Sequence, residues 1–459
     1  MRTLDQILTK KDYSRKTPAS LFYRDSPLWQ RLLTIGCVVF LSGAGLGEWK
    51  PINSAVGGLP KAVALGVIGL AVLYALFYPD EKRFREIWKP TLLYMSLMVA
   101  LFFWSIVIWI ESFAAVSSMI RSCSKLVFQS IAILTAIALV YLFREKAIEL
   151  FTISICITNT AIMLMSVPGY GVAASLQSLI TCLVTFGDAD GYALQLEIHD
   201  LTFVFGQMVL YYTVFAPHDT RQEKRKRRRY LLACCWFFLV GMKRSAIPAV
   251  LLFVLIALFF RKRKVPSWVY PTVGGCCILF FLAFLYCVRN GIISRLLNSV
   301  GVDMMGRDYL WSMANPYYEL SITYFGHGFE YVDTIISQWY DAGLINQPFP
   351  FHNDILKVFV EMGFPGFLLW SGIQYVLTPL FWQRYADQQT TLLYLCELGY
   401  MTVTYLTDNT AFYFWSTMAL RLVTLAYAME RKKPPKPKVW MPDSRQEMRD
   451  RIHILMQEG

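Results

Sequence analysis

Charge is scarce in this sequence. Only 17% of its 459 residues are Asp, Glu, Lys or Arg while 56% are hydrophobic, against about 25% and roughly 45–50% in soluble domains. That balance excludes an ordinary water-soluble fold. Metal-site patterns are also missing: the ten cysteines form no CxxC pair and no Cys/His spacing, and Cys37, Cys156, Cys234, Cys235, Cys276, Cys277, Cys287 and Cys396 lie within apolar runs. They read as small membrane hydrophobes, so no metal and no cofactor is expected. The sequence has no internal repeat, and its one biased stretch is KKPPKPK at 432–438, a solvated linker. The first 30 residues have no apolar core, so no cleavable signal peptide is expected and the first apolar segment must itself target the chain. Aromatics are the opposite case: at 15% they exclude intrinsic disorder, because disordered chains lack apolar bulk.

Twelve apolar runs approach the ~20 residues needed to cross a hydrocarbon core of about 30 Å. They cover 32–47, 62–78, 91–110, 126–142, 148–168, 201–216, 230–242, 245–260, 266–288, 364–382, 391–406 and 411–428. The pair 230–260 is interrupted by Lys243-Arg244 and reads as a hairpin, which puts the basic runs 221–229 and 261–264 on one side. With the N-terminus inside, 33 of the 44 Lys and Arg residues fall on the cytoplasmic side and 10 outside. The positive-inside rule therefore sets the orientation, with both termini cytoplasmic. The net charge of +12 becomes a topology signal and a contact to anionic lipid heads, so no nucleic-acid partner is expected.

The expected fold is an all-α, polytopic membrane bundle of about 12 transmembrane helices, with a large extracytoplasmic loop between helices 9 and 10. It divides into a cytoplasmic segment 1–31, a transmembrane domain 32–428 with external loops 169–200 and 289–363, and a cytoplasmic tail 429–459. The loop 289–363 carries eight acids against Arg289, Arg295, Arg307 and Lys357. Arginines kept on an acidic outer surface mark a place for anion chemistry. Inside the membrane, Glu397 and Arg421 sit at similar depth on adjacent helices and are expected to form a structural ion pair.

Within the large loop the motifs follow in order: Gly306-Arg307-Asp308-Tyr309-Leu310-Trp311, then Thr323-Tyr324-Phe325-Gly326-His327-Gly328, His352-Asn353-Asp354-Ile355-Leu356, and Glu361-Met362-Gly363-Phe364-Pro365-Gly366. Together with Arg244-Ser245-Ala246 at an external turn, this order resembles the O-antigen ligase and polysaccharide polymerase superfamily of bacterial membrane glycosyltransferases. The resemblance implies inverting, metal-independent glycosyl transfer outside the cytoplasmic membrane, from an undecaprenyl-diphosphate-linked glycan to an acceptor hydroxyl. It implies further partners in membrane lipids and a chain-length-regulating membrane protein. The family's functional arginines fall on Arg244 and Arg307, as clamps for the donor diphosphate, and its histidine on His352, as acceptor of the hydroxyl's proton.

Each residue also has a purely structural reading. Arg244 caps a hairpin, Arg307 pairs with an acid such as Asp303, and His352 caps the helix near Asp354, where Asn353 or Asp354 is the better N-cap by type. His327, between two glycines, reads as a turn residue behind the site. Arg295, Asn353 and Asp354 are candidate acceptor contacts. Asp188-Ala189-Asp190 reads as a solvated turn or a carbohydrate contact rather than a metal site. Within the superfamily the acidic, aromatic exterior favours a polymerase of surface-polysaccharide repeat units over a ligase. A flippase or secondary transporter is the alternative class; the absence of repeat symmetry and the long loop after the ninth run count against it.

Overall fold

The computed structural model describes residues 28–49, 52, 62–112, 115–184, 199–241, 243, 245–301, 304 and 306–431. Among them the chain is helical and contains no strand. In order, the helices are α1 (Leu28–Leu46), α2 (Leu65–Phe77), α3 (Glu81–Ser112), α4 (Val116–Phe143), α5 (Ala147–Tyr170), α6 (Val172–Val184), α7 (His199–Leu210), α8 (Arg221–Val240) and α9 (Ala246–Phe260). They continue with α10 (Val269–Arg289), α11 (Ile292–Ser299), α12 (Arg307–Ala314), α13 (Tyr331–Asp341), α14 (Asp354–Gly372), α15 (Thr378–Tyr385), α16 (Gln388–Thr407) and α17 (Phe414–Arg431). Every one of the twelve apolar runs falls on a helix. Among the described residues, five helical stretches are long and apolar enough to cross a membrane by length and composition: Leu28–Leu46, Glu81–Ser112, Val116–Pro168, Val269–Arg289 and Asp354–Tyr385.

Local chemistry sets the helix starts. Thr220 and Glu223 close a capping box at α8, and Asp387 accepts the Thr390 N–H at 2.8 Å to open α16, each satisfying amides that lack an intrahelical partner. The bundle closes around α17, which is buried continuously from Phe414 to Met429 and packs on α4, α5, α7 and α16. Large apolar side chains are instead exposed on peripheral helices, such as Leu255 on α9 at 65% and Leu279 on α10 at 67%. In water such a rim is a liability; in lipid it is the solvated face.

One expectation needs correction. Among the described residues no ion pair joins Glu397 to Arg421. Arg421 turns toward α3, its guanidinium 5.9 Å from the Tyr94 ring centroid and its Nη1 donating to Thr417 O at 3.3 Å. Glu397 lies on the face of α16 that carries Tyr400, whose hydroxyl donates to Phe203 O of α7 at 3.0 Å. Equal depth on neighbouring helices does not make side chains meet when they leave on different faces.

The stretch 289–363 folds into α11, α12, α13 and the first half of α14. The apolar run expected from 364 starts one residue after a real break: Gly363 has φ +64 and ψ −173 inside α14. The carbonyls freed there are taken up locally. Val360 O accepts the Tyr324 hydroxyl (2.7 Å), Glu361 O the amides of His327 (3.0 Å) and Gly328 (2.8 Å), and Met362 O the Trp104 indole N–H (2.8 Å), while Phe364 N–H donates to Tyr324 O (2.8 Å). The two glycine motifs are thus the halves of one backbone clasp. A Cβ on Gly363 would run into the backbone of Tyr324 and Phe325, and the backbone conformation is one that essentially only glycine holds. Gly363→Ala is expected to cost at least about 1–3 kcal/mol, read as a lowered Tm of the purified protein in detergent; an unchanged transition would refute the clasp.

Candidate functional site

Sequence-distant segments meet at the end of α16. Arg307, the first residue of α12 after Gly306 at φ +77, sends Nη1 to Thr407 O at 3.0 Å. Thr407 in turn donates its hydroxyl to Ser245 Oγ, also at 3.0 Å. Ser245 immediately follows Arg244, which lies outside the described residues, as do Asp303, Asp188 and Asp190. The turn that brings Ser245 to Thr407 separates α8 from α9 where Lys243-Arg244 interrupts the apolar run.

His352 arrives from the other side, in a left-handed backbone conformation (φ +50). Its Nδ1 is 3.4 Å from Asp408 Oδ1 and 3.5 Å from Asn409 Nδ2. These distances are long for hydrogen bonds. The three consecutive polar residues divide the work. His352 faces the turn, Asn353 Oδ1 caps α14 by accepting Leu356 N–H at 3.0 Å, and buried Asp354 accepts Ala411 N–H at 2.6 Å. That last bond pins the start of α14 to the 408–413 turn. Trp311 adds another tie, donating its indole N–H to Phe351 O at 2.8 Å, so α12 and the residue before His352 move as one piece.

His327 stands apart from this convergence. Its ring stacks on Tyr331 with centroids 4.2 Å apart, and Nε2 lies 2.8 Å from Tyr317 O. Burial pushes the imidazole below its ordinary pKa, while the bond to Tyr317 works the other way. A neutral ring donating from Nε2 fits both observations. Arg295 is exposed on α11, and among the described residues no hydrogen bond or ion pair joins it to the site.

Sequence reasoning missed a buried charge cluster behind His352. Lys357 Nζ is 2.8 Å from Asp333 Oδ2, 3.4 Å from Glu330 Oε1 and 3.8 Å from Glu361 Oε1, and Lys125 lies 3.7 Å from Glu330. Burial pushes the Glu330 carboxyl up, with Lys357 and Lys125 opposing it. At Asp333 burial also pushes upward, but Lys357 prevails and holds the carboxyl below the usual range. The one available signal was a lone lysine in an acidic loop, four residues before Glu361 on a helix. Asp408 and Asn409 were missed as well.

Residues 230–371 match the family model described as O-antigen ligase. No curated protein matches the chain. The matched segment runs from the apolar part of α8 to the end of α14, so it includes Arg244, Ser245, Arg307, His327 and His352. Thr407, Asp408 and Asn409 lie beyond it, supplied by a helix end that only the fold brings to the matched residues.

Proposed function

We propose that this bacterial membrane protein is a glycosyltransferase that moves a glycan from an undecaprenyl diphosphate carrier to an acceptor hydroxyl on the extracytoplasmic side of the cytoplasmic membrane, polymerising repeat units of a surface polysaccharide. The observation that carries the reading is the convergence of Arg307, Ser245 and His352 on Thr407–Asn409 from separate parts of the chain. Donor transfer breaks the bond from the anomeric carbon to phosphate oxygen, and the electron pair leaves on the diphosphate. That charge needs fixed positive charge nearby, and Arg307 with Arg244 supplies it by bidentate contact. The acceptor oxygen attacks the opposite face and gives its proton to His352 Nε2, giving inversion; Asp408 orients the ring and stabilises the imidazolium. No step requires a metal. The acidic, aromatic exterior suits sugar hydroxyls and favours polymerase over ligase.

Purified Arg307→Ala protein is expected to transfer lipid-linked oligosaccharide about 10²–10³-fold more slowly than wild type, with expression and membrane insertion unchanged; full activity would overturn the assignment. In cells, a deletion strain accumulating single repeat units indicates polymerase, whereas unattached long chains indicate ligase. Gradient-driven solute uptake without turnover would instead identify a transporter.

A further inference from the structure

We infer that the groove beside Arg307 is a carbohydrate subsite, which takes neutral, hydroxyl-rich sugar residues of the glycan rather than its phosphates. This rests on the transferase reading for its role, but its geometry is independent. Between the end of α10, α11 and α12 lies a cavity of about 390 Å³ bordered by Arg289, Ser294, Asp308, Tyr309, Trp311 and Ser312, within the range of about 300–1,000 Å³ typical of small-molecule sites.

Its chemistry selects the ligand class. Charge on the groove wall is balanced rather than cationic: Arg289, which donates to Tyr318 O and lies over the Tyr318 ring at 5.0 Å, faces the same groove as the carboxylate of Asp308. Asp308 has the opposite character. Among the described residues its carboxylate has neither hydrogen bond nor ion pair, which repels an anion and leaves acceptors for sugar hydroxyls. Ser294 offers a hydroxyl without a partner among those residues. Tyr309 contributes a ring that is 54% exposed yet tethered, its hydroxyl 3.4 Å from Leu344 O; a held, solvent-facing ring is the platform that the C–H face of a pyranose stacks on.

Position connects the groove to the reaction. Asp308 is the residue after Arg307 on α12, and Trp311 ties the groove wall to Phe351, next to His352.

Saturation-transfer NMR on the full-length protein in detergent tests this, with the oligosaccharide released by mild acid from the lipid-linked pool of the same cells as probe, free of lipid and phosphate. Saturation should pass to sugar ring protons in wild type and in Arg307→Ala, and the affinity should fall about tenfold in Asp308→Asn and in Tyr309→Ala but not in Tyr309→Phe. No transfer to sugar in wild type, equal affinity in all variants, or displacement by inorganic diphosphate would each overturn the subsite. The transferase reading stands or falls separately, on turnover by Arg307→Ala. If both hold, Asp308→Asn and Tyr309→Ala raise KM for the glycan about tenfold and leave kcat near wild type.

Discussion

Purified His352→Ala protein is expected to bind lipid-linked donor as wild type does and to turn it over about 10²–10⁴-fold more slowly, the usual contribution of a positioned general base. On the proposed mechanism, binding survives because the arginines meet the donor's charge, whereas the lost imidazole would act on the acceptor's proton. Asp408→Asn keeps the ring near its place, 3.4 Å away in the native protein, but removes the negative charge beside it. Its rate should fall between wild type and His352→Ala. Wild-type turnover by His352→Ala would remove His352 from the chemistry.

The difference between His352 and Asp408 shows where sequence reading ends. His352 could be proposed from the sequence because its neighbours form a pattern that resembles a family motif, nine residues before Glu361-Met362-Gly363. Asp408 carries no such context. It sits in a short connection between two apolar runs, 56 residues from His352, and only the end of α16 brings it there. Helices were legible because a sustained apolar run encodes its own element. The short helices α11, α12 and α13 were not, because eight to eleven residues carry too few turns to stand out against a polar loop. Glu397 and Arg421 failed in a third way: depth along a helix is readable from residue number, but the direction in which a side chain leaves depends on neighbours chosen by the fold.

Lys357→Met is expected to destabilise the protein by about 3–5 kcal/mol at neutral pH, the usual cost of stranding buried charge by removing one partner. The lysine lies within 4 Å of Asp333, Glu330 and Glu361, and Lys125, the other cation beside the cluster, makes direct contact with Glu330. The helix it belongs to starts with Asn353 and Asp354, so the damage should spread to the turn at Asp408 and reduce transfer as well. The pH dependence separates this from simple loss of packing. Burial already raises the Glu330 carboxyl above its unfolded value, so the folded state takes up a proton there more readily than the unfolded chain does. Stability therefore rises as pH falls through the folded value, and the rise should be larger once Lys357 no longer opposes protonation. Thermal unfolding in detergent at pH 5 and pH 8 should show the gap between wild type and Lys357→Met narrowing at the lower pH. A gap that is constant with pH would mean that the lysine stem, rather than its charge, holds α13 and α14 together.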